Sequence, residues 1–139
     1  MNKELLIEGI KKLGMETTEE QIERFSKYSE LLKEWNNKIN LTAITDDDGI
    51  SVKHFLDSIL PLAHIEIKTG ANIADVGTGA GFPGLPIKII RDDINLTLID
   101  SLNKRINFLT LVSNELNLSN TVCVHGRAED LSRKCLTDI

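Results

Sequence analysis

The sequence predicts an α/β fold, a helical region followed by a parallel sheet, and three observations lead there. Up to residue 67 apolar side chains recur at helical spacing. From residue 71 short strand-type runs alternate with helical ones, the pattern of parallel strands joined by right-handed crossovers. Between the first strand and its helix lies a glycine-rich turn, Asp75-Val76-Gly77-Thr78-Gly79-Ala80-Gly81-Phe82-Pro83-Gly84-Leu85-Pro86, of the kind with which Rossmann-like folds cradle a nucleotide.

Taken in order, Leu5, Leu6, Ile7, Ile10 and Leu13 mark a short first helix that Gly14 stops. A capping box, Thr17 or Thr18 with Glu20 or Gln21 three residues later, starts a longer helix. Ile22, Phe25, Leu32, Trp35 and Ile39 form its apolar face, with Glu23, Lys27, Glu30, Lys33 and Glu34 opposite. The acidic turn Asp46-Asp47-Asp48-Gly49 is placed to begin a third helix on which Val52, Phe55, Leu56, Ile59 and Leu60 pack, and Pro61 sets its end or a kink.

A boundary near Lys68-Thr69-Gly70 divides the chain into a helical region, 1–67, and a cofactor-binding half, 68–139, with no linker long enough for an independent domain. In the second part Asn72 to Val76 reads as a strand, Pro83 to Ile90 as a helix, and Leu96 to Ile99 as a second strand ending at Asp100. A helix from about Leu102 to Leu116 turns Ile106, Leu109, Val112 and Leu116 inward, and Thr121 to Val124 forms a third strand.

Composition narrows the function. The chain has 139 residues, room for one domain or most of one, and its hydrophobic fraction of 41% can supply a core. No apolar run is long enough to span a membrane, and Met1-Asn2-Lys3-Glu4 lacks signal-peptide order, so a cytoplasmic protein is expected. Cys123 and Cys135 have neither metal-ligand nor redox spacing, and no disulfide is expected. A net charge of −5 argues against wholesale coating by nucleic acid and confines any RNA contact to a patch.

The glycine turn admits two cofactor classes, or an ordinary strand-to-helix turn. Three glycines in five residues reach positive φ and leave no side chain between ligand and backbone. Gly79, Gly81 and Gly84 also satisfy the dinucleotide fingerprint. Asp75 discriminates: a carboxylate about 6 Å from a phosphate at an effective dielectric near 20 repels it by on the order of 3 kcal/mol. S-adenosylmethionine carries no phosphate but does carry a sulfonium and an ammonium, which an acid attracts. Asp75 can also cap the loop's N–H groups, and the two roles are compatible.

Asp100, at the end of the second strand, suits ribose hydroxyls, or alternatively caps the next helix. The third strand ends at His125-Gly126, bringing Ala128 and Glu129 to the same sheet edge, where they could read an adenine edge or simply begin a helix. The scattered histidines His54, His64 and His125 suggest no metal site. Lys33, Lys38, Lys53, Lys88, Arg91, Lys104 and Arg105 are available for phosphates, although a solvated helical face is the commoner fate of such charges.

Five stretches in this order, Asn40-Leu41-Thr42-Ala43-Ile44, His54-Phe55-Leu56-Asp57-Ser58, the loop Asp75 to Pro86, Leu98-Ile99-Asp100-Ser101 and Gly126-Arg127-Ala128-Glu129-Asp130, make the chain resemble the bacterial 16S rRNA guanine-N7 methyltransferases known as RsmG or GidB. The likeness covers essentially the whole chain, and Gly-Phe-Pro-Gly after the loop together with the His-Phe-Leu-Asp-Ser run is its strongest part. It implies a class I S-adenosylmethionine-dependent fold and methylation of one guanine in the decoding-region loop of 16S rRNA. By position it places Gly77 and Phe82 against the cofactor and Ala128 and Glu129 at its adenine end. His54 and Asp57 would shape the RNA side of the pocket or lie on a helix surface. Family members continue with further strands, including an arginine that helps hold the cofactor. A truncated chain with an incomplete sheet, an unpaired outer edge on the first strand and doubtful catalysis alone is therefore expected.

Overall fold

A computed structural model gives the structure and describes residues 1–127. Helix α1 (Lys3–Lys12) begins where the Asn2 side chain accepts from the Leu5 N–H. It ends in a Schellman turn: the Gly14 and Met15 N–H groups reach the Lys11 and Ile10 carbonyls, with Gly14 at φ +82°. At the start of α2 (Glu19–Asn36) the capping box is Thr18 with Gln21, each side chain accepting the other's backbone N–H. Ile39 lies beyond the helix and packs on the core from the following turn.

The third helical segment changes pitch along its length: α3 (Asp47–Gly49), a π-helical stretch Ile50–Leu56, α4 (Asp57–Ile59) and a 3-10 turn Leu60–Ala63. Bonds spanning five residues align Ile50 with Phe55, and Ile59 follows four residues on. All three are fully buried, whereas Val52 and Leu60, expected to pack, are 40% and 39% exposed. The ordinary helical period puts them on the wrong side of a widened turn.

Strands β1 (Asn72–Val76), β2 (Asn95–Asp100) and β3 (Thr121–His125) form a parallel sheet in the order β1-β2-β3. Asp75 pairs with Leu98, and Leu98 with Cys123. The crossover helices are α5 (Gly84–Ile90), which starts one residue after Pro83, and α6 (Asn103–Glu115). Helix α5 packs on β2, α2 and α4, and α6 on β2, β3 and α2, so α2 rests on both crossovers. Asn117, at φ +52°, ends α6 in a second Schellman turn, with the Leu118 N–H on the Ser113 carbonyl.

One apolar cluster runs from Leu6 and Ile10 through Phe25, Tyr28 and Phe55 to Leu96, Leu98 and Phe108, joining the N-terminal helices to the sheet. Ile73, Leu96, Leu98 and Cys123 join that core. From the other face of the sheet Val76 and Val122 are each more than half exposed. Among the described residues β1 pairs only with β2, so its outer edge is open. Burial raises the Cys123 thiol above its ordinary pKa; Cys135 lies outside the described residues.

Candidate functional site

The four glycines of the loop divide into two pairs. Gly77 and Gly79 have φ of +71° and +60°, and no atom lies within 4 Å of where a Cβ would stand. Gly81, at φ +103°, would drive a Cβ to 2.5 Å from Leu85 Cδ1 and 2.6 Å from the Tyr28 hydroxyl. Gly84 would meet Leu98 Cδ2 at 2.8 Å and Asp75 Oδ2 at 2.9 Å. Gly81 and Gly84 are therefore glycine for packing, while Gly77 and Gly79 keep space open above the backbone.

Two carboxylates hold the loop. Asp75 Oδ2 accepts from the Thr78 hydroxyl at 2.7 Å and from the Gly84 N–H at 2.9 Å, so the last residue but one of β1 caps the start of α5 from the preceding strand. Burial raises its pKa above the ordinary carboxylate value; the bonds from Thr78 and Gly84 oppose the rise and the neighbouring Asp100 charge adds to it. Asp100 is buried, its Oδ2 accepting from the Gly79 N–H and its Oδ1 from the Leu102 N–H, both at 2.9 Å. It thus both borders the loop and braces the turn into α6. The Gly77 and Thr78 N–H groups are also taken, by the Ile99 carbonyl.

From the other side the loop rests on the helical region. The buried Tyr28 hydroxyl donates to the Ala80 carbonyl, and its ring lies 5.4 Å from Phe55 and 5.7 Å from Phe82. Phe82 stacks on His54 with centroids 4.4 Å apart and planes within 9°. His54 Nε2 shares a 2.6 Å hydrogen bond with the Thr42 hydroxyl, and Asn36 Oδ1 accepts from the Leu41 and Thr42 N–H groups. Burial lowers the His54 pKa, opposed by the Asp57 charge. The Phe82 side chain is thus turned toward the helices, so any cofactor contact from this residue falls to its backbone.

A cleft of about 360 Å³, within the usual range for small-molecule sites, opens at the carboxyl ends of the strands. Val76, Gly77, Asp100, Ser101, Gly126 and Arg127 line it. The fold brings Asp75, Gly77, Gly79, Gly81, Phe82 and Asp100 together at this edge; Ala128 and Glu129 lie outside the described residues. Open space above Gly77 and Gly79, with carboxylates already on the loop amides, suits a cationic, phosphate-free nucleoside. Sequence reading missed Tyr28, although its position between Phe25 and Leu32 on the helical face could have placed it in the core. Its reach to Ala80, 52 residues on, had no local signal.

Several of the cations available for phosphates serve the fold instead. Lys88 is fully buried and donates to the Asp92 carbonyl at 2.8 Å and the Ile94 carbonyl, in the turn that follows α5. Arg91 donates to Asp93 through two nitrogens and to the Ile67 carbonyl, and Lys33 pairs with Asp47. Among the described residues no His, Cys, Asp and Glu cluster could hold a metal, and no helix is long and apolar enough to cross a membrane.

A family model described as rRNA small subunit methyltransferase G (GidB) matches residues 21–139. The relative called Ribosomal RNA small subunit methyltransferase G from Clostridium perfringens (strain 13 / Type A) is 53% identical over 131 residues, 94% of this chain and 55% of its own. Its namesake from Clostridium botulinum (strain Alaska E43 / Type E3) is 50% identical with the same coverage. That from Clostridium beijerinckii is 52% identical over 127 residues, 91% of this chain and 53% of its own. The chain spans about half the length of the curated relatives it matches.

Proposed function

The chain belongs to the rRNA small subunit methyltransferase G (GidB) family, and from that premise we propose that it takes part in transferring a methyl group from S-adenosylmethionine to N7 of a guanine in the decoding-region loop of 16S rRNA. The observation that carries this reading is the state of the loop amides. Gly79 and Gly84 already donate to Asp100 and Asp75, the positions at which a diphosphate would need free N–H groups. Two carboxylates there repel phosphate and attract a cation.

Gly77 and Gly79 would let the cofactor lie against bare backbone, and Gly81 with the backbone of Phe82 would complete the turn beneath it. Asp100 borders the cleft, and a carboxylate has about four acceptor sites, of which two are used, leaving capacity for ribose hydroxyls. Ala128 and Glu129 would take the adenine end. When bound, S-adenosylmethionine supplies an electrophilic methyl group on a sulfonium.

Guanine N7 has a free lone pair and no proton to lose, so the chain needs no general base. Its residues would act by alignment, a contribution of about 7–11 kcal/mol for well-oriented reactants. The partner in this reading is the small ribosomal subunit, in the cytoplasm, with neither a metal nor a membrane involved.

Calorimetric titration with S-adenosylhomocysteine and with NAD tests the cofactor: saturable binding of the former alone is expected, and binding of NAD alone overturns the reading. A second reading, a cofactor-binding unit that does not transfer methyl, is favoured by the open edge of β1 and the exposed sheet face. Methyl transfer to small subunits lacking the mark separates the two. An NAD(P)-dependent oxidoreductase is left with only the spacing of Gly79, Gly81 and Gly84 in its favour.

A further inference from the structure

The end of α2 and the start of α6 enclose a groove of about 410 Å³, whose lining includes Asn37, Lys38, Asn40, Leu102, Lys104 and Arg105. Its charge is unlike that of the neighbouring clefts. Each of those has at least one carboxylate in its lining: Glu16, Glu19 and Glu23 with Lys3 and Lys11 in one, Asp100 with Arg127 in the cofactor cleft, Glu20, Glu23 and Glu115 with Arg24 and Lys27 in a third, and Asp57 alone in a fourth. The groove has three cations and no carboxylate along its lining, on a chain whose net charge is −5.

Its walls are held in place. Asn36 accepts from the Leu41 and Thr42 N–H groups and donates to the Thr42 carbonyl, which ties down the turn that carries Lys38 and Asn40. Lys38 Nζ stands 5.0 Å from the Trp35 ring centroid, a cation–π contact that leaves the ammonium at the surface. Opposite, the N-cap residue of α6, Leu102, makes no side-chain cap, so the amides of Asn103 and Lys104 add positive potential to the groove. Arg105 Nη1 lies 3.6 Å from Asp100 Oδ1, and the Asp100-Ser101-Leu102 backbone runs directly from the cofactor cleft into the groove.

We propose that this groove holds a single-stranded segment of the RNA substrate next to the target guanine, Lys38, Lys104 and Arg105 meeting its phosphates while Asn37 and Asn40 hydrogen-bond to base edges or 2′-hydroxyls. Carboxamides both donate and accept, as those RNA groups require, and a cleft of about 410 Å³ is too small to admit a folded duplex. The proposal rests on the methyltransferase reading for its substrate, but it is measured separately.

The test is fluorescence anisotropy of a labelled single-stranded RNA of about 12 nucleotides over a range of potassium chloride, read as the slope of log affinity against log salt. K38Q/K104Q removes two charges from the groove without touching Arg105 or Asp100; its slope should be shallower by about 1.4, at roughly 0.7 per phosphate. K11Q/K12Q removes the same charge from the exposed end of α1 and should leave the slope unchanged. An unchanged slope in K38Q/K104Q, equal changes in both variants, or no RNA binding by the parent chain each overturns the groove. Titration of the same variants with S-adenosylhomocysteine keeps the two claims apart. Its binding should survive in K38Q/K104Q, and its absence from the parent chain would count against the cofactor reading while leaving the anisotropy result to decide the groove.

Discussion

Replacing Tyr28 with Phe removes one oxygen and nothing else from the contact between the helical region and the glycine loop. The ring sites against Phe55 and Phe82 remain filled, but the Ala80 carbonyl loses its donor in a place that is 4% exposed. Leaving a buried acceptor unpaired costs about 1–3 kcal/mol. At about 2.1 cal/mol/K per residue, the unfolding entropy of a chain this size converts that into a melting temperature lower by roughly 3–10 °C. Burial holds the Tyr28 phenol well above its ordinary pKa, so it is a donor throughout the neutral range and the loss should not depend on pH there. Because the bond ends on the loop itself, S-adenosylhomocysteine should bind about fivefold more weakly by calorimetry, equivalent to about 1 kcal/mol. Phe25→Leu is the control, a core change that touches Phe55 and not the loop, which should lower the melting temperature and leave the ligand affinity alone. A Tyr28→Phe protein that melts and binds like the parent would refute the idea that the helices brace the loop.

The two glycine pairs should respond oppositely. Gly81→Ala, with nowhere to put its methyl, should lower the melting temperature sharply, whereas Gly77→Ala should cost only about 1–2 kcal/mol of left-handed strain but weaken S-adenosylhomocysteine binding. Asp75→Asn keeps an acceptor for Thr78 and Gly84 while deleting the charge, and should weaken S-adenosylmethionine by on the order of ten- to a hundredfold in calorimetry; equal affinities would leave the carboxylate no role at a cation. Asp93 is lowered from the ordinary 3.8 to about 2, chiefly by its hydrogen bond from Arg91. A depressed carboxylate contributes stability above its unfolded pKa that is lost as pH falls toward 2, so urea midpoints should drop over that window, and less in Asp93→Asn. Val122→Lys on the exposed sheet face should reduce any concentration-dependent association in sedimentation velocity, and no change would show that this face is not sticky.

Much of the architecture was legible in short stretches because its causes are local. The Thr18 and Gln21 capping box, the Gly14 stop and each separate strand depend on residues within about five positions of one another, and the alternation of strands with helices implied the parallel pairing of residues far apart, such as Asp75 with Leu98. The candidate site was legible as residue types at the loop and at the end of β2, since glycine is favoured where φ is positive and an acid stands out at a strand end. In the helical segment from Asp47 to Ala63 the inward places of Phe55, Leu56 and Ile59 were legible and those of Val52 and Leu60 were not, since a change of pitch from α to π leaves no mark on the spacing.

What the amino-acid order determined by itself was therefore the succession of elements and the chemistry gathered at their ends. Only the tertiary structure decided how each polar group is spent: Lys88 and Arg91 on carbonyls, Asp75 on the start of α5, Asp100 on Gly79, Tyr28 on Ala80. The physical reason is that a hydrogen-bond partner is chosen by proximity in space, and most of these partners lie from 9 to 52 residues apart along the chain.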